Sequence, residues 1–193
     1  MSLAEVLISS ALMLLLLGST MAALVAGKDR AARSSTQVLM EEEALSALTF
    51  VTTDLSETNL AAVHVPSDQF VVFPLPRNAV GKFTVEPDGK LRWSTLIAYR
   101  AETINGEPHL IRQIADVADS VDEPMDPKFM TAPVPDAAYF ARLSSPKRET
   151  ARGFQRLEVV PDGRALKLAL EVSSQIGNRT LGLVLRSTVM PRN

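Results

Sequence analysis

The sequence contains no cysteine, which excludes a disulfide framework and a thiolate metal site. Its only histidines are His64 and His109, too few for a histidine-rich metal centre, and no metal or other cofactor is expected. There is no surplus of charge: 20 basic and 22 acidic residues leave a formal net charge of −2. A dedicated nucleic-acid binder carries a basic patch or stripe, so no nucleic-acid partner is indicated. No glycine-rich phosphate loop occurs, and no Ser-His-Asp arrangement has spatial warrant, so these residues point to no enzyme chemistry.

The most informative absence is local. From Val6 to Gly27 no residue is charged, and as a helix this run would be about 33 Å long, the thickness of a bilayer's hydrocarbon core. A cleavable secretory signal would begin with a basic region, carry a shorter apolar core and end at a small-residue cleavage site. Here nothing basic precedes the run and the run is too long, so it reads as a segment retained in the working protein. The nearest basic cluster, Lys28, Arg30 and Arg33, lies on its C-terminal side. Taken alone, that cluster would place the large domain in the cytoplasm; a basic leader removed ahead of Met1 would reverse the orientation.

Helical character continues past the apolar run. Neither proline nor glycine occurs from Ala31 to Leu60, and Val38, Leu45, Leu48 and Leu55 recur at spacings that place them on one helical face. Glu41, Glu42 and Glu43 fall largely off that stripe, as a solvated face would. A single helix of about 55–60 residues is expected, apolar in its first half and amphipathic in its second. Pro66 and Phe73-Pro74-Leu75-Pro76 then close the helical region.

After the prolines the period changes to two. Lys82–Glu86 and Leu91–Arg100 form a hairpin pattern around Pro87-Asp88-Gly89, with Trp93, Thr95, Ile97 and Tyr99 expected on one face. Residues 108–114 continue as a strand. Residues 116–152 carry five prolines and many charges with weak periodicity, and read as an irregular surface insertion. Strands are expected again at Phe154–Val160, Ala165–Ser173 and Thr180–Met190, the first two joined by a turn at Pro161-Asp162-Gly163-Arg164. The expected fold is α+β, a long N-terminal helix packed on an antiparallel sheet. Its parts are an apolar helix over residues 1–27, an amphipathic continuation over 28–60 and a β-rich domain over 61–193. About 165 residues beyond the apolar run are enough for one core.

One residue does not fit a plain membrane anchor. Glu5 puts a carboxylate almost at the end of the apolar run, where a charge costs several kcal/mol unless it is paired. The bland explanation is a charge at the membrane interface, favoured near a helix N-terminus. It leaves unexplained why an apolar helix is joined without a break to an amphipathic one.

The run Met1-Ser2-Leu3-Ala4-Glu5-Val6-Leu7-Ile8, coupled to a long helix and a C-terminal sheet, resembles the mature N-terminus of type IV pilins and the pseudopilins of type II secretion. The resemblance implies a pilin-like fold and a structural role in a filament. It implies that a prepilin peptidase removes a short leader and that the new N-terminus, here Met1, is methylated. It implies a precursor in the bacterial inner membrane, drawn by an ATPase-driven machine into an extracellular pilus or a periplasm-spanning pseudopilus. In that homo-oligomer the apolar helices bundle, and the Glu5 carboxylate pairs with the Met1 amine of a neighbouring subunit. Such a pair gives register more surely than stability.

The resemblance has departures. Many major pilins carry a proline where this chain has Ala22. Here Gly18-Ser19-Thr20, with low helix propensity and backbone-competing hydroxyls, places any melted stretch of the filament helix at residues 17–21, a straight helix being the alternative. The globular part is more loosely similar to W-type minor pilins and J-type pseudopilins, through the strand pair holding Trp93, Tyr99 and Leu110 and the ending Leu185–Asn193. Three roles stay open: main building block, minor pilin or pseudopilin that primes or caps a filament, and a non-polymerising, single-span anchored binding domain. Asn178-Arg179-Thr180 is a glycosylation sequon, for which a bare turn at Gly177-Asn178 is the simpler explanation. Asp116, Asp119, Asp122, Glu123 and Asp126 lack the EF-hand spacing and read as a solvated stretch.

Overall fold

The computed structural model of the chain describes residues 2–77, 82–83, 85, 89, 91–121, 135–176 and 179–192. Helix α1 runs unbroken from Leu3 to Glu57, close to the length expected from the absence of helix breakers. A 3-10 turn over Leu60–Ala62 follows, capped by the Asn59 side chain, which accepts the Ala61 N–H at 2.9 Å. The chain divides into two compact units, Met1–Leu39 and Met40–Asn193.

In the second unit the chain builds two antiparallel sheets rather than the single sheet expected. The first has five strands in sequence order: β1 (His64–Ser67), β2 (Phe70–Leu75), β3 (Trp93–Ile104), β4 (Glu107–Val121) and β5 (Lys147–Arg152). The second has three: β6 (Phe154–Asp162), β7 (Ala165–Ile176) and β8 (Arg179–Val189). Both are plain meanders. The break between them falls at Gly153, whose φ of +62° is left-handed; a Cβ there would lie 1.8 Å from the Ser173 carbonyl oxygen. That close approach carries a bond from Ser173 N–H to Gly153 O at 2.7 Å, and the chain turns from one sheet into the next over it.

Alternation along the first sheet sorts its residues into two layers. Val71, Phe73, Leu75, Ile97, Tyr99 and Leu110 face a large core shared with Phe154, Leu157, Leu168, Leu170 and Val172 of the second sheet and with the last turns of α1. Phe70, Val72, Leu96, Ala98 and Ala115 face the other way, onto a smaller core closed by Phe140. Phe140 lies on α2 (Ala137–Arg142), a short helix whose first turn is capped by Asp136, its Oδ1 accepting the Tyr139 N–H at 2.6 Å.

Several expectations are corrected. The buried stripe of α1 consists of Met40, Ala44, Ala47, Leu48, Val51 and Leu55, whereas Val38 and Leu45 are 50% and 53% exposed. The helix face is rotated because Ala44 and Ala47 allow close approach to the sheets. Trp93 belongs with Leu96 and Ala98, opposite Ile97 and Tyr99, because the pairing with β4 slips between Trp93 and Thr95 and reverses the alternation. Residues 64–75, expected only to close the helix, form β1 and the buried β2. Pro74 is tolerated there because β1 ends at the His64–Val72 pair, leaving no neighbour on that side to need its missing N–H. The insertion expected at 116–152 is partly regular: β4 extends to Val121, and α2 and β5 lie within it. Of the first expected hairpin, isolated bridges join Arg77 to Phe83 and Val85 to Leu91; Pro87 and Asp88 fall outside the described residues.

Candidate functional site

The described residues of the first unit are helical from Leu3 onward. Leu7, Ile8, Leu12, Leu14, Leu15, Leu16, Leu24 and Val25 are all exposed. By length and composition α1 is a candidate membrane span. Its hydroxyls are satisfied internally: Ser10 donates to Leu7 O at 2.9 Å, Ser19 to Leu16 O at 2.9 Å, and Thr20 to Leu16 O at 3.0 Å. Back-bonding of this kind lets a polar residue sit in an apolar environment without orphaned groups. Residues 17–21, Gly18, Ser19 and Thr20 among them, are helical in this chain. Met1 and the side chain of Glu5 lie outside the described residues, as does Asn178.

In the second unit, the last turns of α1 are fastened to the first sheet by more than apolar burial. Asp54 sits on the buried face between Val51 and Leu55. Its Oδ2 accepts the Tyr99 hydroxyl at 2.5 Å and the Arg112 Nε–H at 2.7 Å, and its Oδ1 accepts Arg112 Nη2–H at 3.1 Å. Tyr99 and Arg112 are paired neighbours across β3 and β4, so one carboxylate spans two strands. Burial above all, and then the Asp54 charge, pushes the Tyr99 hydroxyl well above its usual range, with Arg112 working the other way. For Arg112 burial works downward, but the Asp54 carboxylate outweighs it and the guanidinium is raised.

Three further contacts flank this lock. Arg77 donates to Glu57 through Nε and Nη2, both at 2.5 Å, and lies 4.3 Å over the Phe83 ring. The Arg148 guanidinium stacks on Phe50 of α1 at 4.1 Å. Arg152 N–H donates to Glu43 Oε2 at 3.4 Å. Beyond the helix, Arg192 N–H donates to Thr58 O at 2.8 Å, so the C-terminal segment ties off the end of α1. Together these contacts fasten residues 43–58 to the first sheet, to Arg77 and to the C-terminal segment. On the opposite face Arg100 is buried, donating to Gln113 Oε1 at 3.2 Å and to Glu102.

Among the described residues no group of histidines and carboxylates is placed to hold a metal ion. His109 is buried on β4 with its Nδ1 3.1 Å from Glu149 Oε1, off the line a hydrogen bond needs. His64 begins β1. Asp116 accepts the Thr95 hydroxyl at 3.3 Å from within β4, while Asp122, Glu123 and Asp126 lie outside the described residues. Sequence patterning missed Asp54, Tyr99 and Arg112. The signal was a carboxylate in the middle of a buried helical stripe, a position that is costly unless a partner waits across the interface.

Comparison with protein-family models, with curated proteins and with solved structures gives no match.

Proposed function

We propose that this chain is a structural subunit of a type IV pilus-like filament, assembling through its N-terminal helix. The single observation that carries this reading is the run Met1–Ile8, with Glu5 heading an uncharged run whose large apolar side chains are exposed. A helix so apolar needs lipid before assembly and other helices after it. The inner membrane holds the precursor, and a prepilin peptidase and an assembly ATPase are the partners this route requires. In the dry bundle the Glu5 carboxylate finds the Met1 amine of a neighbouring copy, and the charge that is costly in lipid becomes a register mark.

The strapping of α1 to the sheets supports the same role. A filament transmits tension between subunits through their helices, and the Asp54–Tyr99–Arg112 lock resists withdrawal of the helix from its domain. Low-copy priming or capping, as by a minor pilin or pseudopilin, uses the same helix and differs in abundance. Shearing surface appendages and weighing the N-terminal peptide tests the proposal. A subunit is found in the sheared fraction with a methylated first residue, and a main subunit dominates that fraction by mass. A chain that stays in the membrane with an unmethylated N-terminus would instead be a single-span anchored domain.

A further inference from the structure

The uncharged run of α1 ends abruptly. Val6–Gly27 carries no charge, Lys28, Asp29, Arg30 and Arg33 follow at once, and the next charge after them is Glu41. All four charged residues are exposed within unbroken helix. Among the described residues, Lys28, Arg30 and Arg33 have no ion-pair partner.

Their placement along and around the helix selects a partner. Along the axis, Lys28 to Arg33 covers about 7.5 Å. The headgroup layer on each side of a bilayer's hydrocarbon is about 5–7 Å deep. All three basic residues therefore fit one such layer, directly beyond a run that matches the hydrocarbon. Around the axis, at about 100° per residue, Lys28, Arg30 and Arg33 stand at about 0°, 200° and 140°. A neighbouring helix or a folded protein would meet a patch on one side. Basic groups spread round the helix suit a partner that surrounds it, and at this depth lipid does. Their long apolar stems let each charged end reach a phosphate while the stem lies along hydrocarbon.

We infer that Lys28, Arg30 and Arg33 form a collar that binds the phosphates of anionic phospholipids in the leaflet at that end of the helix. The inference rests on α1 as a membrane span and not on its polymerisation. Asp29 trims the collar's charge, and the remaining surplus is positive, which a layer of anionic headgroups attracts. The collar also fixes depth. Sliding the helix inward would draw Lys28 into hydrocarbon, and sliding it outward would lift Arg33 clear of the headgroups.

The test reconstitutes the full chain into phosphatidylcholine vesicles with a trace of spin-labelled lipid, whose spectrum separates lipid held at the protein from lipid in bulk. Labelled phosphatidylglycerol should be enriched at the protein about threefold or more over labelled phosphatidylcholine, less so at high salt. Soluble glycerol phosphate at matched ionic strength should not compete. Combining Lys28→Gln, Arg30→Gln and Arg33→Gln should abolish the enrichment, with Trp93 fluorescence unchanged as the check on folding. Asp29→Asn should raise it. Arg33→Gln together with Gln37→Arg keeps the net charge but stretches the basic set over about 13.5 Å, and should lower enrichment as Arg33→Gln alone does. Full enrichment in the stretched variant would overturn the collar, as would enrichment that survives the triple substitution, competition by glycerol phosphate, or no enrichment in the parent. A spectrum with no held lipid of either kind would instead show that α1 does not span the bilayer, and would remove that reading together with the inference.

Discussion

The carboxylate of Asp54 accepts the hydroxyl of Tyr99 at 2.5 Å, joining the last turns of α1 to the middle of β3. Arg112, from the adjacent strand, grips the same carboxylate through two nitrogens. All three groups are largely withdrawn from water, so the helix is held to the sheet by a network that loses most when it is half-broken.

Asp54→Ala leaves the half-buried Arg112 charge without its counter-ion, and should destabilise the chain by about 2 kcal/mol or more. Trp93 is the only tryptophan and is buried on the first sheet, so its fluorescence during denaturant unfolding in micelles reads the change. Tyr99→Phe removes one hydrogen bond and leaves the ion pair intact, costing about 1 kcal/mol. A loss at Asp54 no larger than at Tyr99 would mean that the ion pair contributes nothing.

The same tyrosine sets an alkaline limit. Its folded pKa is raised, by burial first and by Asp54 second, above the value of about 10 for an unfolded chain. The unfolded chain therefore gives up this proton first. The contribution is complete below about pH 10 and is lost as pH rises toward the folded value. Stability measured from pH 8 upward should fall beyond about pH 10 in the parent and fall less steeply in Tyr99→Phe.

Gly153 permits the turn from one sheet to the other. Gly153→Ala combines a left-handed φ with a Cβ driven into the Ser173 carbonyl, and should cost about 3 kcal/mol or prevent folding. Gly163 has a similar φ of +65° at the β6–β7 turn but open space around it, so Gly163→Ala should cost only about 1 kcal/mol. Comparing the two by thermal unfolding separates backbone conformation from close approach.

How far the fold was legible depended on whether a local rule had a long-range exception. The length of α1 followed from an absence of breakers that nothing overrode. The strands expected at 154–160, 165–173 and 180–190 followed from period two and from Gly163 at its turn, and the first two run two or three residues further. The face of the amphipathic half was misjudged because leucine and valine draw attention, while Ala44 and Ala47 mark the closest packing. β2 was hidden by Pro74, since its tolerance depends on where β1 stops. Trp93 was placed on the wrong face by a slip in pairing that has no local signature. Asn105 and Gly106, both at positive φ in the β3–β4 turn, were a readable hairpin signal. The lock at Asp54 needed tertiary knowledge, because Tyr99 and Arg112 become neighbours only through the pairing of β3 with β4.

The role proposed for the N-terminal run is tested most directly by Glu5→Ala, followed by comparing membrane and sheared surface fractions of cells. A subunit whose register depends on that carboxylate should remain in the membrane at its normal level and fall at least tenfold in the sheared filaments. A Glu5→Ala chain that reaches the sheared fraction as well as its parent would contradict the pairing of Glu5 with a neighbouring amine.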